Sequence, residues 1–169
     1  MNGNDQNICF QCGFCCDGTL FYNAGIKESE SIAPGYDFEI LTEGKSAFRQ
    51  PCPYYQGNVC LIYDNRPFTV CDEFKCELLK RNKSGEVSYS EALALIHEVT
   101  VLKLKLEEQI MERHPGNSGK STIEKINEFK KHFTSIMPEA EFKISFGLLL
   151  LDIYIFRRKT SLLFKENKK

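Results

Sequence analysis

The sequence predicts a mainly α fold, in which a small irregular cysteine module with a short hairpin packs on about three helices. Two observations predict this fold class. All eight cysteines lie between Cys9 and Cys76. Beyond that module, apolar residues recur at the three- and four-residue spacing of amphipathic helices. We therefore expect a cysteine-cluster module over residues 1–82 and a helical segment over residues 83–169 that packs against it.

The composition is that of an ordinary globular protein. The 169 residues are enough for one core, and the hydrophobic fraction of 42% and the charged fraction of 27% are near the usual averages. Residues 1–80 carry 6 basic and 11 acidic side chains, which argues against nucleic acid as a partner of the module. The first residues have neither the basic nor the apolar region of a secretory signal, so we expect a cytoplasmic protein.

The first four cysteines form a dense run, Cys9-x2-Cys12-x2-Cys15-Cys16. The two-residue spacing places the sulfur atoms of Cys9, Cys12 and Cys15 within one or two tight turns, as in metal knuckles and in the ligand runs of iron–sulfur clusters. Neighbouring side chains diverge by about 100° on a helix and by more on a strand. Cys16 is therefore expected to serve a second centre or to be a structural thiol.

Cys52 and Cys60 belong to a predicted hairpin region. The chain turns at Gly57–Asn58, and that register sets Cys60 opposite Tyr55. Side chains alternate between the two faces of a strand, which puts Cys52 on the other face. We therefore expect these two cysteines to point to different places rather than to share one metal.

The last two cysteines, Cys71 and Cys76, are five residues apart, which on one continuous helix would put them on nearly opposite sides. We expect a helix to begin near Asp72, with Cys71 at its start, where free backbone amides stabilise a thiolate. Arg66 and Lys75 are nearby cations that either offset the charge of a metal centre or are solvated surface residues.

The segment from Ser88 to His114 is predicted to be one long helix. Ser88 and Glu91 form a capping box at its start, and Pro115 follows its end. Its apolar residues form a single stripe made of Ala92, Leu95, Ile96, Val99, Leu102, Leu106 and Ile110. A second helix is predicted over about Thr122–Ile136, with one face formed by Ile123, Ile126, Phe129, Phe133 and Ile136.

The last predicted element is a helix from Pro138 to about Phe164, although the β-branched and aromatic residues of Ile153–Phe156 leave a strand open. The apolar run Ile144–Phe156 is too short to span a bilayer and predicts a buried core helix. The predicted loop Asn117–Ser121 contains the tripeptide Gly-Lys-Ser. The first glycine of a phosphate-binding loop is missing and no strand precedes it, so we reject that interpretation.

Side chains other than cysteine are not needed as ligands. His97, His114 and His132 are expected to be surface or capping residues, and Asp17 and Asp72 are at most minor ligands beside their cysteines. The sequence contains no dinucleotide fingerprint, nucleophile elbow or paired acid–base motif. Whether the protein is an enzyme is therefore left open.

The pattern of these residues resembles the CxxCxxCC family, also called YkgJ-like. The resemblance is carried by the opening run, Pro51-Cys52-Pro53, Cys60-Leu61-Ile62-Tyr63, Arg66-Pro67, and Cys71 to Phe74 with Cys76. It implies a zinc- or iron-chelating domain over residues 7–80. It also implies a distant relation to flagellin lysine N-methylases, whose cysteine cluster is associated with iron and sulfur.

The eight cysteines together predict a metal-binding protein. In a reducing compartment, clustered thiols favour metal over disulfides. The spacing of the first three echoes a bacterial ferredoxin run, and Cys52 is followed by proline, which favours a [4Fe–4S] cluster. Zn²⁺ is the alternative, because four-thiolate zinc sites tolerate any loop length. The ligands are expected to form one dense knuckle that recruits distant cysteines, rather than two sets of four.

Three classes of function follow from this pattern. The first is a metal-binding protein with a structural or redox role, whose helical segment presents the centre to a protein partner. The second is an enzyme related to the iron–sulfur-dependent protein lysine N-methylases. The third is a disulfide-stapled domain without metal. No nucleic acid and no membrane span are expected, and the sequence does not determine the oligomeric state.

Overall fold

The computed structural model describes residues 3–32, 34–41, 46–117 and 120–164 and is mainly α-helical, as the sequence predicts. The helices are α1 (Gly3–Cys12), α2 (Thr69–Glu73), α3 (Glu77–Lys83), α4 (Tyr89–Arg113), α5 (Thr122–Ile136), α6 (Glu139–Ser145) and α7 (Gly147–Phe164). The strands are β1 (Asn23–Gly25), β2 (Ile40–Leu41), β3 (Ala47–Arg49), β4 (Tyr55–Gln56) and β5 (Val59–Cys60).

The opening cysteine run begins on a helix that the sequence pattern did not predict. Helix α1 ends at Cys12, and Gly13 follows with φ of 63° while its N–H donates to the Cys9 carbonyl over 3.1 Å. This left-handed residue ends the helix in the way that glycine commonly does. The chain then turns tightly, because the N–H groups of Cys16 and Asp17 both donate to the Gly13 carbonyl.

Two small antiparallel sheets follow. One has the strand order β1-β3-β2, and the other is the hairpin of β4 and β5. The hairpin is confirmed: Tyr55 pairs with Cys60, and Gly57 and Asn58 have φ of 56° and 65°. Two successive residues with positive φ form the turn that suits a two-residue hairpin. The three-stranded sheet was not predicted, since its strands have only two or three residues each.

The apolar side chains form two cores. The first core joins both ends of the chain, since α1 packs against α4 and α3 packs against α7. It includes Ile8, Phe14, Leu78, Leu79, Ile96, Leu106, Phe129, Ile153 and Phe164. The second core is smaller, lies under the three-stranded sheet and is centred on Phe48, Tyr54 and Phe68. The first core thus draws on residues from both sides of the boundary predicted at 82/83.

The two middle helices match their predicted bounds. Helix α4 has the predicted capping box of Ser88 and Glu91, and α5 has a second one formed by Ser121 and Glu124. On the predicted apolar face of α5, Ile126 and Phe129 are buried, whereas Ile136 is 62% exposed because α5 ends at this residue. Residues 118 and 119 of the predicted loop lie outside the described part of the chain.

The last predicted helix is confirmed, and the strand alternative is wrong. It is divided at Phe146 into α6 and α7. The prediction of a buried core helix holds for one side only, because Leu149 and Ile153 are buried whereas Ile144 and Leu148 are 84% and 83% exposed. Among the described helices, none combines the length and apolar character needed to cross a membrane.

Candidate metal centre

The eight cysteines line one cavity of about 230 Å³. The wall around them is largely apolar and includes Ile8, Phe68 and Phe164. Cys9 is exposed, and the other seven are partly buried, since each still faces the cavity. The fold therefore brings all the predicted ligand residues around the same space.

Four of these residues, the first group, are Cys9, Cys12, Cys15 and Cys76. Cys9 and Cys12 are three residues apart on α1 and so share one helix face, and Cys15 lies in the turn that follows. Cys76 directly precedes α3, which packs against α1. Burial raises the pKa of Cys12 and of Cys15 well above the usual value. Repulsion from Cys76 and Cys9 adds to the rise for both residues, and repulsion from Cys12 and Cys16 adds to it for Cys15.

The other four, the second group, are Cys16, Cys52, Cys60 and Cys71. The N–H of Cys52 donates to the Cys16 carbonyl over 2.7 Å, which holds the two segments side by side. Burial raises the pKa of Cys16 strongly, and repulsion from the other three thiolates adds to the rise. Burial also raises the pKa of Cys52 to about 11 and that of Cys71 to about 12.

The prediction that Cys52 and Cys60 point to different places is wrong. After burial, repulsion from the Cys60 thiolate is among the causes that raise the pKa of Cys52, so the two thiols are neighbours. The predicted pairing of Tyr55 with Cys60 is present, but Cys52 lies outside the strand. It belongs to a turn in which the Tyr55 N–H donates to the Cys52 carbonyl over 2.8 Å. The alternation of strand side chains therefore does not reach Cys52.

The cysteine that lies at a helix start is Cys76, not Cys71 as predicted. Helix α2 begins at Thr69, so Cys71 lies inside it, whereas Cys76 is the N-cap of α3 and its Sγ accepts from the Leu79 N–H over 3.4 Å. Burial raises the pKa of Cys76, and this hydrogen bond acts in the opposite direction. The sequence did not reveal this because cysteine is an unusual capping residue.

Tyr55 is a cavity residue that the sequence suggested only as the partner of Cys60. If Gly13 carried a Cβ, that atom would lie 1.8 Å from the Tyr55 hydroxyl oxygen. The Tyr55 ring therefore passes directly over the glycine. Burial raises the pKa of Tyr55 strongly, and negative charge from Asp17, Cys16 and Cys12 adds to the rise. The signal in the sequence was the glycine placed directly after Cys12.

Arg66 also lines the cavity, near Cys71. Its guanidinium donates to Asp72 over 2.6 Å and lies over the Tyr63 ring, 4.4 Å from the ring centre. In the described part of the chain, Arg66 Nε and Gln50 Oε1 are buried without a hydrogen-bond partner. Both residues line the cavity.

The other predicted minor ligands have separate partners. Asp17 pairs with Lys103 of α4 and accepts from the Thr19 N–H over 2.8 Å. His114 is the C-cap of α4, as predicted for a capping residue, and stacks on His132 at 4.6 Å between ring centres. None of the three histidines is among the residues that line the cavity. Of the ligand types weighed from the sequence, only cysteine lines this cavity in the described part of the chain.

The donor set fits both metals proposed from the sequence, because zinc and iron–sulfur clusters both accept four thiolates. The structure has the eight cysteines as thiols rather than as disulfides. Within the described residues, no three His, Cys, Asp or Glu side chains are arranged so that they could hold an ion as they stand. Binding a metal here thus requires the thiol side chains to turn toward a common centre.

Comparison with known proteins gives one match. The sequence model of the CxxCxxCC family, described as "Putative zinc- or iron-chelating domain", matches residues 8–92. This range contains all eight cysteines and extends into the first turn of α4. No curated protein and no solved structure matches the chain.

Proposed function

The chain belongs to the CxxCxxCC family of zinc- or iron-chelating domains, and from that premise we propose that its cysteine cavity holds an iron–sulfur centre, with zinc as the alternative. The role proposed for the centre is structural or redox. One observation carries the proposal: eight thiols from well-separated parts of the sequence surround one cavity.

The electrostatics of the cavity support a cation as its occupant. The raised pKa values of Cys12, Cys15, Cys16, Cys52 and Cys71 mean that these thiols keep their protons at neutral pH. Grouped thiolates repel one another and lose solvation, and a metal cation offsets both costs as it replaces the protons. When bound, zinc would supply folding energy, and an iron–sulfur cluster would supply one-electron redox chemistry.

The cavity has room for more than a single ion. A volume of about 230 Å³ is far more than one bare ion occupies, so it can hold a cluster or two metal centres. The apolar wall gives a low dielectric around the thiols, and the Arg66 guanidinium brings a positive charge to the lining. Hydrogen bonds and solvent exposure are the means by which a protein sets the reduction potential of a cluster.

A structural role is supported by the elements that the cysteines join. The first group links the end of α1 to the start of α3, and these two helices pack on α4 and α7. A metal held there would fasten the two helices to each other. Because such metal binding is coupled to folding, its removal is expected to destabilise residues 8–92 more than α5 to α7.

Purification without oxygen tests the proposal. We expect a brown protein with broad visible absorption and with iron and acid-labile sulfide bound to it. A colourless protein with stoichiometric zinc would contradict the iron–sulfur centre and support zinc as the bound metal. A protein with neither metal and with no titratable thiols would refute metal binding and support the disulfide-stapled class.

A further inference from the structure

We propose that the eight cysteines form two separate four-thiolate metal sites, one made by the first group and the other by the second group. This inference rests on the proposed function and goes beyond it, because it assigns each thiol to one of two centres. It also replaces the expectation of a single knuckle that recruits distant ligands.

Five of the eight cysteines pack against one or other of the two cores. Cys12, Cys15 and Cys76 of the first group pack against the first core, which is formed with α4 and α7. Cys52 and Cys71 of the second group pack against the second core, under the three-stranded sheet. A ligand moves with the core on which it packs, because protein interiors are close-packed. These members of the two groups are therefore held in place by different parts of the fold.

The vicinal pair Cys15 and Cys16 is the junction of the two groups. Adjacent side chains diverge, so one residue of the pair is directed to each group. The backbone agrees with this division, since the Cys52 N–H donates to the Cys16 carbonyl over 2.7 Å. Cys15 packs against the first core together with Cys12 and Cys76.

The ring of Tyr55 stands at the same junction. It passes over Gly13, between the end of α1 and the turn that carries the vicinal pair. Tyr55 pairs with Cys60 of the second group in the hairpin, and its hydroxyl approaches Gly13, which directly follows Cys12 of the first group. The phenol ring therefore lies near residues of both groups.

Cobalt binding provides the test. The full-length chain, reduced and stripped of metal, is titrated with Co²⁺, and bound metal per chain is counted. We expect two equivalents for the unchanged chain. The Cys15→Ser and Cys16→Ser variants are matched, because they alter neighbouring residues of the same turn, and each should keep one equivalent.

Double variants distinguish two metal sites from a single metal site. Cys12→Ser with Cys15→Ser alters only the first group and should keep one equivalent. Cys15→Ser with Cys52→Ser alters both groups and should keep none. Circular dichroism shows whether each variant retains its helices, and a variant that unfolds is replaced by Cys9→Ser for the first group or Cys60→Ser for the second.

The outcomes distinguish this inference from the proposed function. A single equivalent in the unchanged chain, or complete loss of metal in a folded Cys15→Ser or Cys16→Ser variant, overturns the two-site assignment while leaving metal binding in place. An unchanged chain that binds no cobalt, zinc or iron overturns the proposed function itself. If the chain binds iron and sulfide, iron–sulfur clusters per chain are counted in the unchanged chain and in the same variants.

Discussion

Gly13 is the residue on which the cysteine run most depends. It has φ of 63°, and a Cβ at this position would stand 1.8 Å from the Tyr55 hydroxyl and 2.3 Å from its Cζ. Both the backbone conformation and the space exclude a side chain. The glycine between Cys12 and Cys15 thus allows the helix to end, the chain to turn and the phenol ring to enter, all at one point.

Substitution of Gly13 tests this fit. We expect Gly13→Ala to lower the free energy of unfolding by about 3 kcal/mol or more, because the left-handed backbone conformation and the clash both oppose the new methyl group. Denaturant titration of the reduced chain measures the change.

Gly85→Ala is the matched control. Gly85 has φ of 78° but nothing within 4 Å of its added Cβ, so only the backbone cost of about 1 kcal/mol is expected. Equal losses in the two variants would show that Tyr55 moves aside without cost.

At the scale of elements, short helices place ligands through their ends. Cys76 is both a cavity residue and the N-cap of α3, whereas Cys71 lies inside α2 and caps nothing. A thiol that accepts a backbone hydrogen bond is held in one orientation before any metal binds. The start of α3 therefore positions the thiol that we propose as a ligand of the first group.

Two substitutions separate the capping role of Cys76 from its ligand role. In the reduced, metal-free chain, Cys76→Ser should be more stable than Cys76→Ala by about 1 kcal/mol, because a serine hydroxyl can replace the cap. Both variants should lose the metal of the first group alike. Urea titration and a metal count make the two measurements.

The same pair of substitutions at Cys71 is the control. Cys71→Ser and Cys71→Ala should differ little in stability, since no helix end depends on that side chain. A difference at Cys71 as large as that at Cys76 would contradict the capping argument.

For the molecule as a whole, the grouped thiols predict how stability changes with pH. The folded chain holds the pKa of Cys52 at about 11 and that of Cys71 at about 12, whereas a thiol in the unfolded chain titrates near 8.5. Above about pH 8.5 the unfolded chain loses protons that the folded chain keeps. The free energy of unfolding of the metal-free chain must therefore fall as pH rises.

Urea unfolding at pH 8 and at pH 10 measures this effect. We expect a loss of at least about 2 kcal/mol in the reduced, metal-free chain, after allowance for the partial exposure of these thiols. The metal-loaded chain should change much less, because its ligating thiols are already deprotonated. Equal stability of the metal-free chain at the two pH values would contradict burial as the cause.

Much of the helical half could be predicted from single residues. The capping box of Ser88 and Glu91 and the stripe from Ala92 to Ile110 predict α4 correctly, since both are local signals. The exposed side of α7 could not be predicted, because apolar residues such as Leu148 and Leu151 surround the helix on all sides. Only the packing of α4, α3 and α6 against α7 decides which of them are buried.

The sequence by itself determined that eight cysteines would be gathered in the first half of the chain, that the hairpin would turn at Gly57–Asn58, and that Cys15 and Cys16 would diverge. Only the tertiary structure decided which distant thiols join each of them. Spacing along the chain constrains only contacts between residues that are a few positions apart. Cys76 meets α1, and Cys52 meets Cys16, through the packing of two different cores. Long-range proximity is set by that packing, which no local pattern records.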